Sequence, residues 1–121
     1  MKLAVRILVT LVTVTLCILL LGFAFTKVTE AFYPRKYSDL VEKYSAEYDV
    51  DADLVFAVIK CESGFDPDAV SHADAKGLMQ MTEETFEWVQ TKMGESGLAA
   101  DDLFNPEVSI RYGVKLLSLN L

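Results

Sequence analysis

A chain of 121 residues, 52% hydrophobic and 24% charged, has room for one small domain and excludes a multi-domain enzyme or a large cofactor-binding fold. Its 18 Asp and Glu outnumber 11 Lys and Arg, a formal net charge of -7, so there is no basic surface for phosphates and nucleic-acid binding is set aside. A mean hydropathy of +0.29 in so acidic a chain requires the apolar residues to be concentrated somewhere.

They are concentrated at the start. Ile7 to Phe25 form 19 consecutive residues without a charge, and a helix of that length reaches roughly 28 Å, about the thickness of a bilayer's hydrocarbon core. Residues 1–25 therefore read as a membrane anchor or signal segment. The small residues of Gly22-Phe23-Ala24 are spaced like a cleavage site, but the length of the apolar run favours an uncleaved transmembrane helix. Charge does not set its orientation, because Lys2 and Arg6 on one side face Lys27, Arg35 and Lys36 on the other. Cys17 within this segment reads as a small apolar residue, which leaves Cys61 without an intrachain partner and the chain without a disulfide framework. From Thr26 onward there are 9 basic and 18 acidic residues, a net of -9.

Residues 26–37, with Pro34 among them, read as a juxtamembrane connector. Helices follow over 38–121. Ser38 is placed to cap the first, and Leu40, Val41, Tyr44 and Tyr48 share one face of it. Asp51 is placed to cap a second helix through Leu54, Val55, Val58, Ile59 and Cys61, which Gly64 ends. Phe65 to Gly77 is turn-rich. Thr82 is placed to cap a third helix carrying Phe86, Trp88 and Val89, with Gly94 at its stop. Asn105-Pro106 opens a fourth, whose face is Val108, Tyr112, Leu116 and Leu119. No strand alternates convincingly, His72 is a lone loop residue, and no metal-spaced cluster or phosphate-cradling glycine loop appears. The fold class is mainly α, with no metal or organic cofactor called for.

Glu62 is the residue that helical spacing isolates. Positions three, four and seven before it are Ile59, Val58 and Val55, so its carboxyl is expected to emerge from an apolar stripe in the last turn of a helix. Desolvation and the negative end of the helix dipole would both favour its protonated form, as a general acid requires.

The residues around Glu62 then carry a resemblance. Glu62-Ser63-Gly64-Phe65 is followed by Asp66-Pro67, by Ser71 and by Gly77-Leu78-Met79-Gln80, and this order resembles the lytic transglycosylases of the SLT type, in the lysozyme-like superfamily. The resemblance covers Ala57 to Leu117. It implies a lysozyme-like helical domain, α+β by superfamily, with Glu62 as the catalytic acid ending a buried helix and the Gly-Leu-Met-Gln stretch lining a glycan cleft. Ser71, Gln80, Ser63 and Met79 are the substrate-binding residues it implies. Ser71 would hold Glu62 or an N-acetyl group and Gln80 would offer its amide to the glycan. By residue type alone, Ser71 and Gln80 also suit loop caps, and Met79, Leu78, Phe65, Phe86 and Trp88 suit a core.

The family chemistry implied is cleavage between N-acetylmuramic acid and N-acetylglucosamine with 1,6-anhydro ring closure, one carboxyl serving as acid and then base. A lysozyme-type hydrolase would need a second carboxylate, for which Asp66 and Asp68 are turn formers. Asp74, Glu83, Ser109 and Leu116 depart from the family's usual residues. The chain reaches Leu121 before the family's Ala-Tyr-Asn closing motif, so the domain is expected to be C-terminally incomplete, with an uncovered apolar face on its last helix. Implied partners are peptidoglycan glycan strands, the membrane and cell-envelope proteins, with the domain on the extracytoplasmic side. A membrane-anchored glycan-binding or scaffold module without activity is the alternative from another class.

Overall fold

The computed structural model describes residues 2–32 and 35–121. The chain divides into two compact units, residues 1–35 and Lys36–Leu121. The first is one helix, α1 (Lys2–Phe32), none of whose residues is buried. Its length and composition suit a membrane crossing. The hydroxyls of Thr10, Thr13 and Thr15 donate to the carbonyls of Arg6, Val9 and Leu11 at 2.8, 2.8 and 2.9 Å. Each polar group of the apolar run is thereby satisfied within the helix, as a lipid environment demands. The helix does not stop at Phe25. It continues through the stretch read as connector to Phe32, aided by the Lys27–Glu30 pair one turn apart at 2.9 Å. The reading of Pro34 falls outside the described residues.

The second unit has four α-helices and a short 3-10 helix: α2 (Ser38–Tyr48), α3 (Ala52–Ser63), α4 (Glu83–Lys92), the 3-10 segment (Ala100–Phe104) and α5 (Pro106–Asn120). Local chemistry sets most of their ends. The Asp51 side chain accepts from the Asp53 amide, Thr82 from the Thr85 amide and Asn105 from the Glu107 amide, while Gly64 closes α3 at φ 59. Ser38 is different. It is the first helical residue, the cap position falls to Tyr37 at φ 60, and no side chain caps the helix. In place of strands, the described residues of the loop between α3 and α4 hold two isolated antiparallel bridges, Val70 with Lys76 and Lys76 with Met81.

α5 packs against α2, α4 and the 3-10 segment, and α2 packs against α3. The apolar side chains gather in two clusters along it. One joins Val41 and Tyr44 of α2, Val55, Phe56 and Ile59 of α3, and Phe65, Leu78 and Met79 of the loop to Ile110 and Val114. The other joins Met81, Phe86, Val89 and Leu103 to Tyr112, whose ring meets Phe86 edge-on at 4.9 Å. The α5 face expected to lie open is covered over most of its length: Tyr112 is buried and Val108 and Leu116 pack on this second cluster, while Leu119 is exposed. Trp88 is also not core. It is 44% exposed, because the inward stripe of α4 runs through Phe86, Val89 and Gln90.

Candidate active site

Glu62 is the penultimate residue of α3. Val55 and Ile59 before it are buried and Val58 half-buried, but Glu62 itself is exposed. The expectation of a carboxyl that emerges from an apolar stripe and is desolvated by it is therefore corrected: the side chain is exposed. At about 100° per residue the buried stripe of α3 centres between Val55, Phe56 and Ile59, and Glu62 lies at its margin, in a last turn with no later turn above it. The carboxyl is at solvent, where a polymer can reach it.

Immediately after it the chain reverses. Gly64 and Phe65 both take left-handed φ, 59 and 64. A side chain there costs about 1–2 kcal/mol, and burial of the Phe65 ring in the first cluster holds it in place. The reversal folds the 64–81 loop back onto α3 and presents Gly77-Leu78-Met79-Gln80 to the helix end. The Ser63 hydroxyl spans that junction, donating to the Leu78 carbonyl at 2.7 Å with a longer approach to the Ile59 carbonyl at 3.2 Å. Its one proton is committed to the protein.

The same loop is held from the other side by α5. The Met79 amide donates to the buried Ser109 Oγ at 3.1 Å. A Cβ at Gly77 would overlap the Leu103 carbonyl, and a Cβ at Gly113 would overlap the Met79 sulfur. Met79 is 8% exposed and belongs to the first cluster, so most of its side chain is core. Ser109, Gly113 and the 3-10 segment have no role in the sequence reading beyond the departure noted at Ser109.

Gln80 takes φ 50, and its amide nitrogen donates to the carbonyls of Ala69 at 3.0 Å and Gly77 at 2.9 Å. Two carbonyl partners fix which end of the amide faces the loop. The nitrogen is used internally, so what Gln80 offers outward is Oε1. Ser71 is exposed, and its Oγ accepts from the amides of Ala73 and Ala75, both at 3.2 Å. It caps the loop while keeping its own proton to donate. The Asp66 carboxylate accepts from the Asp68 amide at 2.9 Å, a turn-forming contact. His72 is exposed in the same loop.

A second polar cluster lies at the α4–α5 junction. Arg111 grips Glu95 at 2.6 and 3.3 Å, and the Tyr112 hydroxyl donates to the same carboxylate. The Tyr112 and Arg111 hydrogen bonds hold the Glu95 carboxyl below the usual carboxylate range. Burial, reinforced by Glu95, pushes the Tyr112 phenol up to about 12. Beside it, Gln90 is stitched to the Leu98 backbone in both directions at 3.2 and 3.1 Å. Among the described residues no group of His, Cys, Asp and Glu is arranged to hold a metal ion.

With this geometry in view, the comparisons with known proteins can be stated. The family model of the transglycosylase SLT domain matches residues 39–121. The membrane-bound lytic murein transglycosylases C of Klebsiella pneumoniae and Sodalis glossinidius are 41% and 42% identical to this chain over 86 residues, which is 69% of this chain and 24% of each relative. This chain thus spans about a quarter of the length of those relatives. Among solved structures, an inactive mutant of the lytic transglycosylase Slt from Pseudomonas aeruginosa is similar with a TM-score of 0.72 and 26% identity, over 75% of this chain and 15% of that one. The 70 kDa soluble lytic transglycosylase of Escherichia coli gives 0.71 and 26%, over 74% and 15%. These likenesses carry the mainly α, lysozyme-like architecture to residues Lys36–Leu121.

Proposed function

The chain belongs to the transglycosylase SLT family, and from that premise we propose that it cleaves the bond between N-acetylmuramic acid and N-acetylglucosamine in peptidoglycan, with Glu62 as acid and then base. The observation that carries the proposal is the exposed Glu62 carboxyl at the end of α3, one residue from the Ser63 hydroxyl that fastens this helix end to the Gly77–Gln80 loop. The names of its relatives, lytic murein transglycosylases, support the same substrate.

In this reaction protonated Glu62 gives its proton to the glycosidic oxygen as the bond from that oxygen to the muramoyl C1 breaks. The resulting carboxylate then takes the proton of the C6 hydroxyl, whose oxygen bonds C1 and closes a 1,6-anhydro ring. No water enters, and Glu62 ends as it began. The engagement of Asp66 in its own turn favours this route over a retaining hydrolase, whose second carboxyl must stand roughly 5 Å from the first. Gln80 Oε1 is suited to accept from the N–H of an N-acetyl group, and the Ser71 hydroxyl to donate to a sugar oxygen.

α1 anchors this activity in a membrane, with the N-terminus inside and the domain facing the cell wall, where the polymer lies. The test is to digest purified sacculi with the full chain and weigh the released muropeptides. Ends lighter by one water than reducing ends are expected; reducing ends alone would assign a hydrolase.

A further inference from the structure

Three successive residues of one loop are gripped by two helices that the sequence separates widely. Gly77 lies against the Leu103 carbonyl and Ser109 Oγ, the Leu78 carbonyl accepts from Ser63, and the Met79 amide donates to Ser109 while its sulfur rests on Gly113. Gln80 closes the set by bonding back to Gly77 and Ala69. The two serines thus hold opposite ends of the one peptide group that joins Leu78 to Met79, its carbonyl from α3 and its N–H from α5. Ser63 reaches across 15 residues and Ser109 across 30, so neither contact is a local turn. Ser63 donates to backbone and Ser109 accepts from it, and Ser109 is wholly buried.

We propose that Ser63 and Ser109 are positioning residues: they form a clamp that fixes the outward Gln80 carbonyl relative to Glu62 and so sets how tightly glycan is bound. Neither serine touches substrate. The inference rests on the glycan-cleavage reading above and moves Ser63 from the substrate-binding set to its support. Loss of either hydroxyl leaves a loop peptide group without its partner, and the loop opens while the helices stay packed.

The test uses the full chain in detergent micelles with soluble glycan strands of alternating N-acetylglucosamine and N-acetylmuramic acid. Ser109→Ala is expected to speed hydrogen exchange at the Met79 amide by about 10-fold or more, and to raise KM several-fold with a smaller change in kcat. Measured well below the melting temperature, that split sets positioning apart from plain loss of folded protein. Ser63→Ala is expected to raise KM likewise, and Ser63→Thr, which keeps the hydroxyl, to restore it. Ser118→Ala, which removes a hydroxyl bonded only to the Lys115 carbonyl within α5, should change neither quantity. Unaltered Met79 exchange in Ser109→Ala overturns the clamp, as does faster exchange with KM unmoved. If the parent chain cleaves no strands the proposed activity fails instead, and the exchange measurement still decides whether the clamp exists.

Discussion

Gly113 sits mid-helix in α5, where glycine is about 1 kcal/mol worse than alanine. Propensity alone would make Gly113→Ala stabilising. The Met79 sulfur occupies the space a Cβ would need, and overpacking a filled core costs about 1–3 kcal/mol. The expected outcome is a lower melting temperature for Gly113→Ala in the parent and a smaller fall, or none, when the same change is made on top of Met79→Ala; a rise in the single variant would contradict the packing. Glu95 makes a different prediction. Its native carboxyl titrates below the ordinary value of 4.5 because Tyr112 and Arg111 bond its ionised form. A depressed folded-state value contributes stability that is present above pH 4.5 and is lost as pH falls below it. The parent should therefore lose more melting temperature between pH 5 and pH 3 than Glu95→Gln does. Parallel acid profiles would show the network contributes nothing. Tyr112 and Met79 were singled out in the sequence, by helical spacing and by motif, but their contacts with Glu95 and Gly113 were not, since each joins positions far apart in the chain.

Helix ends were the most legible feature at the next scale. Asp51, Gly64, Thr82 and Asn105-Pro106 act within three or four residues of themselves, so their identity suffices to place them. Asp51→Ala should cost about 1 kcal/mol, a fall of roughly 4–8 °C in a domain of this size, read by thermal melting; an unchanged melt would mean the cap is idle. Periodicity was less reliable where a stripe has edges. Glu62 follows apolar residues at the right spacing yet lies at the margin of the buried face, and Trp88 shares a helix with Phe86 and Val89 but faces outward over Lys92, 5.5 Å from its ring. The 3-10 segment Ala100–Phe104 escaped notice because its three-residue turn matches neither a helical nor a strand period. α1 ran past its expected end because the residues after Phe25, though mixed in polarity, contain no helix breaker before Phe32.

For the whole molecule, the sequence motifs around Glu62 and Gly77–Gln80 pointed to the family that the 39–121 match shows, and the acidic composition after the apolar run separated the two units. What the motifs did not convey is the division of labour within the site. Glu62 is exposed at the end of α3 and Gln80 is half-buried, while Ser63 and Ser109 bond the Leu78–Met79 peptide and Met79 packs in the core; the clamp proposed above reads that arrangement as support for the site. The proposed orientation of α1 predicts that protease added to intact spheroplasts removes the domain Lys36–Leu121; protection of the domain would reverse the orientation. The claim on which the rest depends is that Glu62 carries the chemistry, and the most direct measurement is muropeptide release from sacculi by the full chain and by Glu62→Gln. The variant keeps the shape of the side chain but cannot pass a proton, and loss of such a group costs roughly 100-fold or more in rate. The account predicts 1,6-anhydro products from the parent and their near disappearance in Glu62→Gln at an unchanged melting temperature. Equal release by the two proteins would contradict it.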